Sequence, residues 1–214
     1  MNQDEGSTAA PGWFGKLPGM DDFAHRRLPD GFREAWDQWL GSGLARLRVR
    51  HQDWTERYLD APRWCFVLGN GVIDGQSWIG VLVPSVDGMG RHFPFTVAAE
   101  LVSSQSELTA GALARVRQWW VLATQAVREG LESNLDAIRF ELLLQRCFTR
   151  DLVAAREEGG AVLALPVVGQ SLWFTDPTAE GGPGMASQNL PQDDQFEALF
   201  GCGPGAATAG TEGA

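Results

Sequence analysis

Between Trp64 and Leu101 the chain carries three short apolar runs closed by turn residues, and no other feature limits its fold as much. Trp64 to Leu68 ends in Gly69-Asn70-Gly71, Trp78 to Val83 is stopped by Pro84, and Phe95 to Leu101 includes the β-branched pair Thr96 and Val97. Brief apolar runs bounded by Gly and Pro read as strands, because helices need longer periodic stretches. Joined by turns, they predict an antiparallel meander.

Helical patterns surround this block. Upstream, Trp13 to Leu17 reads as a strand stopped by Pro18-Gly19. Asp30 then reads as an N-cap before Phe32, Trp36, Trp39, Leu40, Leu44 and Leu47, which trace one apolar stripe. A shorter helix is expected from Asp53 to Leu59, limited by Pro62. Downstream, Ser104 and Glu107 fit a capping box for a long helix through Leu108, Ala112, Val116, Trp119, Trp120, Ala123 and Val127. Trp36, Trp39 and Trp119 are expected in the core. Asn134 is read as the cap of a further helix with Leu135, Ile138, Leu142 and Gln145 at its spacing. Ala161 to Val168, Leu172 to Thr175 and Met185 to Leu190 are strand candidates, and Asp193 to Phe200 a terminal helix. The order predicts an α+β fold: a single layered domain with a mostly antiparallel or mixed β-sheet flanked by α-helices. Residues 1–11 are expected to be disordered, 12–200 to form the domain, and 201–214 to be a disordered tail.

Composition narrows the function. A chain of 214 residues suits one large domain that needs no disulfide support. The formal net charge is −10, against the phosphate neutralisation that nucleic-acid binding requires. The one dense basic run, Arg46, Arg48 and Arg50, falls near the end of a helix, where cations favour the dipole. Cys65, Cys147 and Cys202 are odd in number and lack C-x-x-C spacing, which predicts reduced thiols in a cytosolic protein. The opening MNQDEGSTAAPG has neither the basic nor the apolar region of a signal peptide. No stretch is apolar enough for a membrane span, so a cytoplasmic protein without membrane insertion is expected.

The common chemical motifs fail one by one. Gly69-Asn70-Gly71 with Gly75 misses the dinucleotide fingerprint, because Asp74 stands where its last glycine belongs and a strand follows. Gly15-Lys16 is followed by Leu17, so no hydroxyl would reach a magnesium ion. Gly75-Gln76-Ser77-Trp78-Ile79 fails the nucleophile elbow at its last position. With His25, His51 and His92 the only histidines, a zinc site is not expected. Ser85, Asp87 and His92 form the one local Ser/Asp/His group, yet triad members usually meet from distant segments. No catalytic residue, cofactor or metal is therefore expected.

Two strings are more distinctive. The first is Gly12-Trp13-Phe14-Gly15-Lys16-Leu17-Pro18, then Asp22-Phe23, Arg26-Arg27-Leu28-Pro29, Phe32 and Trp36-Asp37-Gln38-Trp39-Leu40. The second is Gly80-Val81-Leu82-Val83-Pro84-Ser85-Val86-Asp87, then Gly90-Arg91-His92-Phe93-Pro94-Phe95-Thr96. Tyr58-Leu59, Ala61-Pro62, Trp64, Ser171 to Thr175, Leu190-Pro191 and Phe196 to Phe200 keep the expected order. From about Gly12 to Phe200 the chain resembles the TagF family, also called ImpM, of bacterial type VI secretion-associated proteins. One departure is Asp21, where the family usually has glycine before its Asp-Phe pair, so that Gly19 would have to supply any positive φ in the turn.

The resemblance implies a non-enzymatic, post-translational repressor of type VI secretion that binds a cytoplasmic scaffold with a forkhead-associated domain. Some relatives are fused to a PP2C-type phosphatase. Candidate partner-binding residues are Lys16, Asp21, Asp22, Arg26, Asp87 and Arg91, which flank turns at strand ends. Asp87 and Arg91 could pair across a Gly-containing turn. The alternatives are a small hydrolase using Ser85, Asp87 and His92, or a structural subunit of the secretion apparatus.

Overall fold

Successive side chains of a strand point to opposite faces, so a strand with no polar position needs cover on both sides. A computed structural model of the chain, describing residues 10–101, 110–151, 166–176 and 184–202, shows how that cover is arranged. Strands β1 (Gly12–Lys16), β2 (Phe23–Arg26), β3 (Trp64–Leu68), β4 (Trp78–Val83), β5 (Phe95–Glu100), β6 (Gln170–Phe174) and β7 (Met185–Gln188) form one sheet. Its order is β2-β1-β5-β4-β3-β6-β7, with every neighbouring pair antiparallel. The predicted meander is its centre. Phe66 lies opposite Gly80, and Gly80 opposite Ala98.

One face carries Cys65, Val67, Ile79, Val81 and Val83 and is covered by helices α3 (Ala110–Glu132) and α4 (Ala137–Asp151). The other carries Trp64, Phe66, Leu68, Trp78 and Leu82 and is covered by α1 (Asp30–Arg50), α2 (Trp54–Asp60) and α5 (Asp193–Leu199). The result is a three-layer α+β fold. Among the described residues, no helix is long and apolar enough to cross a membrane.

Tryptophan supplies much of the second core, and each indole N–H there needs an acceptor. Trp36 donates to the Thr96 hydroxyl at 2.9 Å, Trp39 to the Pro191 carbonyl at 2.7 Å, and Trp64 to the Leu199 carbonyl at 2.9 Å. These bonds fix α1 on the sheet and the C-terminal segment on both. The whole predicted stripe of α1, from Phe32 to Leu47, is buried.

Several local expectations need correction. Asp30 is the first helical residue rather than the cap, a position held by Pro29, and it pairs with Arg33 at 2.8 Å. Asn134 ends α3 instead of starting α4. It has φ 50°, its N–H bonds the Leu131 carbonyl, and the Leu135 N–H reaches back to Gly130, as in a left-handed helix C-cap. Asp136 caps α4, accepting the Arg139 N–H at 2.8 Å. The buried stripe of α4 is Phe140, Leu143, Leu144 and Phe148, whereas Ile138 and Leu142 are 68% and 61% exposed. The bulkier stripe prevails because Phe140 packs edge-on against Trp13 and Phe95. Trp120 is fully buried, while its neighbour Trp119 is only partly so. Strand β2 carries no apolar run and was not expected as a strand; it forms by pairing on β1.

Pro11 and Cys202, which flank the 12–200 span, are both buried. The capping box at Ser104 and Glu107 and most of the Ala161–Val168 strand lie outside the described residues.

Candidate functional site

The two distinctive strings meet at one end of the sheet. Strand β1 ends at Lys16, and the turn after it leads into β2; β4 ends at Val83, and the 84–94 loop leads into β5. Because β1 pairs with β5, these connections are neighbours. Gly15 permits the approach: its φ is +135°, and a Cβ there would stand 2.3 Å from the Pro94 carbonyl oxygen.

Asp87 organises the junction. Its side chain is fully enclosed. One carboxylate oxygen accepts Lys16 Nζ and Arg91 Nε, both at 2.7 Å. The other accepts the backbone N–H groups of Met89 at 3.0 Å and Arg91 at 2.9 Å. Burial alone would raise the Asp87 carboxyl. The bonds from Lys16, from the Arg91 backbone and from its guanidinium outweigh that and hold it well below the usual carboxylate range. The pairing of Asp87 with Arg91 across the turn is as expected, and Lys16 joins the same carboxylate.

The turns are also stitched directly. Gly88 N–H donates to the Met20 carbonyl at 2.7 Å, and the Arg91 guanidinium to the Asp21 carbonyl. The Ser85 hydroxyl donates to the Lys16 carbonyl at 2.7 Å. Tyr58, the only tyrosine of the chain, clamps Ser85 from α2: its hydroxyl donates to the Ser85 carbonyl and accepts the Ser85 N–H, both at 2.9 Å. Sequence reading missed this role, although a lone tyrosine among so many Phe and Trp residues signals that its hydroxyl is used.

The six candidate residues thus separate by burial. Lys16 and Asp87 are buried and cannot touch a partner directly; they shape the surface from beneath. Arg91 is half-exposed and reaches Asp87 from the surface. Asp21, Asp22 and Arg26 are exposed. The Asp22 carboxylate accepts the Phe23 N–H, and neither Asp22 nor Arg26 joins an ion pair among the described residues. Gly19 does not have a positive φ. It is needed for space, since a Cβ would stand 2.5 Å from the Asn134 carbonyl oxygen. Positive φ angles nearby are those of Gly15, Gly90 and Arg27.

A hydrolytic relay is not assembled from Ser85, Asp87 and His92. The Ser85 hydroxyl and the Asp87 carboxylate have the partners just named. His92 packs edge-on against Trp54 and Tyr58, with centroids at 5.2 and 5.5 Å. Burial, then Arg48 and Lys16, lower the pKa of its imidazole. The basic run is divided as well: Arg46 pairs with Asp193, Arg50 with Asp194 and Glu197, and Arg48 lies over the Trp54 ring.

Comparison with known proteins places this architecture. The crystal structure of PA0076 from Pseudomonas aeruginosa PAO1 matches it with a TM-score of 0.67 at 26% identity, over 95% of this chain and 99% of that one. No curated protein is similar enough to count as a match. The family model for the TagF N-terminal domain, described as type VI secretion system-associated, matches residues 12–147, the span holding both turns and ending in α4. The chain therefore belongs to this family of type VI secretion system-associated proteins.

Proposed function

We propose that the protein is a non-enzymatic, cytoplasmic, post-translational repressor of type VI secretion, acting by binding a scaffold protein with a forkhead-associated domain. The β1–β2 turn and the 84–94 loop serve as one contact surface. The observation that carries this reading is the enclosed Asp87 carboxylate, which holds Lys16 from one segment and Arg91 from the other. Two exposed turns locked together before any partner arrives present a surface with little entropy left to lose on binding. Within it, Asp21, Asp22 and Arg91 meet the partner, and Lys16 and Asp87 maintain the shape; Arg26, opposite Trp13 at the far end of β2, lies away from the joined turns.

Sequestration obeys mass action: the repressor must match the scaffold in amount, or bind with a dissociation constant below cellular concentrations. Overproduction in the native host should silence secretion in a dose-dependent way without lowering the levels of secretion components. A folded Asp21→Lys, Asp22→Lys variant should repress less. Unchanged secretion on overproduction would reject the repressor reading in favour of a structural subunit.

A further inference from the structure

The loop that Tyr58 clamps is tied, through that same ring, to a distant stretch of the chain. Residues 193–202, from α5 onward, sit in a cradle made by α1 and α2. The Phe196 ring occupies space that Gly43 leaves open, since a Cβ there would collide with it. The Glu197 carboxylate is enclosed, with Arg50 Nη1 at 2.6 Å and His51 Nε2 at 2.9 Å. The Leu199 carbonyl accepts the Trp64 indole N–H. Just beyond α5, Phe200 stacks on the Tyr58 ring, with centroids 5.4 Å apart and planes at 22°.

Tyr58 passes this seating on. Its ring is fully buried, with Phe200 stacked on it and His92 edge-on at 5.5 Å. A ring held in that way aims its hydroxyl in one direction, and the hydroxyl takes both backbone groups of Ser85. Ser85 is the base of the 84–94 loop. Its carbonyl also accepts the Phe93 N–H at 3.1 Å, which closes the loop, and its own hydroxyl bonds the Lys16 carbonyl of the neighbouring turn. Among the described residues, no hydrogen bond or ion pair joins 193–202 directly to either turn. The connection runs through Tyr58.

Terminal helices open locally more readily than central strands. Two hydrogen bonds that persist only while the Tyr58 ring is held make the order of the loop depend on the seating of α5. That dependence is a coupling between two sites through a local opening equilibrium.

We propose that residues 193–202 are a latch on the joined turns: seated, they fix Tyr58 and with it the 84–94 loop; released, they loosen that loop while the sheet stays folded. Drawing α5 away would then relieve repression without any contact at the turns. That consequence rests on the scaffold-binding reading above; the latch itself does not.

Hydrogen exchange on the free full chain tests the latch, with melting transitions to confirm that each variant is folded. Glu197→Gln weakens the seat at a side chain bonded, among the described residues, only to Arg50 and His51. Phe200→Leu removes the ring from Tyr58. Each should speed exchange at residues 85–93 about tenfold or more. Leu122→Ala, on the opposite face of the sheet, is the control and should lower the melting temperature without speeding those amides. In a Tyr58→Phe background, E197Q and F200L should lose their effect on 85–93, because the hydroxyl that carries it is gone. Acceleration confined to 193–202, an effect undiminished in Y58F, or equal acceleration by L122A would each overturn the latch. A Glu197→Lys, Phe200→Asp protein should release the segment outright and bind the purified scaffold protein of the native host about tenfold more weakly or worse. If that protein frees 85–93 yet binds like the wild type, the latch stands and the turns are not the contact surface.

Discussion

Two enclosed carboxylates, Asp87 and Glu141, tie distant segments of this chain together and do so differently. Glu141 on α4 accepts the Trp13 indole N–H at 2.9 Å, both terminal nitrogens of Arg27, and the Gln145 amide. Arg27, at a left-handed φ of 58°, also holds the Ala10 and Pro11 carbonyls. These donors lock β1 and the segment before it onto α4. Asp87 also bridges distant segments, but two of its four bonds come from the backbone of a loop tip, and Arg91 is 54% exposed. The first arrangement closes the fold; the second shapes a surface. A buried carboxylate with cationic partners therefore does not by itself mark a functional site, and what matters is where its donors end.

The comparison can be broken by mutation. Asp87→Ala leaves Lys16 enclosed without its counter-charge, and such losses typically cost about 3–5 kcal/mol. Chemical unfolding should show that loss, and scaffold affinity should fall with it because the tip is no longer held. Glu141→Gln should cost less, about 1.5–3 kcal/mol for lost bonds to a charged acceptor, and should leave the affinity of the folded protein unchanged. If E141Q lowers affinity as much as D87A does, the distinction between closing and shaping is wrong.

Acid sharpens the same contrast. Asp87 has a folded pKa held below the unfolded value of about 3.9, so its contribution is complete above that range and is lost as pH falls through the folded value. The stability gap between the wild type and Asp87→Asn should be constant near neutrality and narrow only in strong acid. A gap that closes between pH 7 and 5 would contradict the assigned bonds. Glu141 is likewise lowered, with burial opposed by Arg27 and Trp13, so E141Q should show the same sign.

The smallest effect on stability is expected at Asp22. It is exposed, and its reversal to Lys should change stability by about 0.5 kcal/mol or less while weakening scaffold binding. Asp87 does not belong in such a charge-reversal test, because its enclosure would confuse lost contact with lost fold.

The central strands were legible because Trp64–Leu68, Trp78–Val83 and Phe95–Leu101 are continuous apolar runs between turn residues. So was α1, whose stripe is regular. Strand order was not legible, since β1 reaches β5 and β6 reaches β3 across long intervals that no local pattern encodes. Helix α4 misled because two apolar stripes compete on it, and only the position of Trp13 and Phe95 decides between them. At the site, charge and turn residues pointed to two segments that the fold brings side by side. They did not reveal that Lys16 and Asp87 lie inside, because burial of a charged pair depends on β1 and β5 being neighbours.

The joined turns can be tested most directly by hydrogen exchange on the full chain with and without the scaffold protein. Amides at residues 18–26 and 85–93 should gain protection together on binding in the wild type, and the same segments should exchange faster in free Asp87→Asn protein. Protection confined to the exposed face of α4, with both turns unchanged, would contradict the assignment.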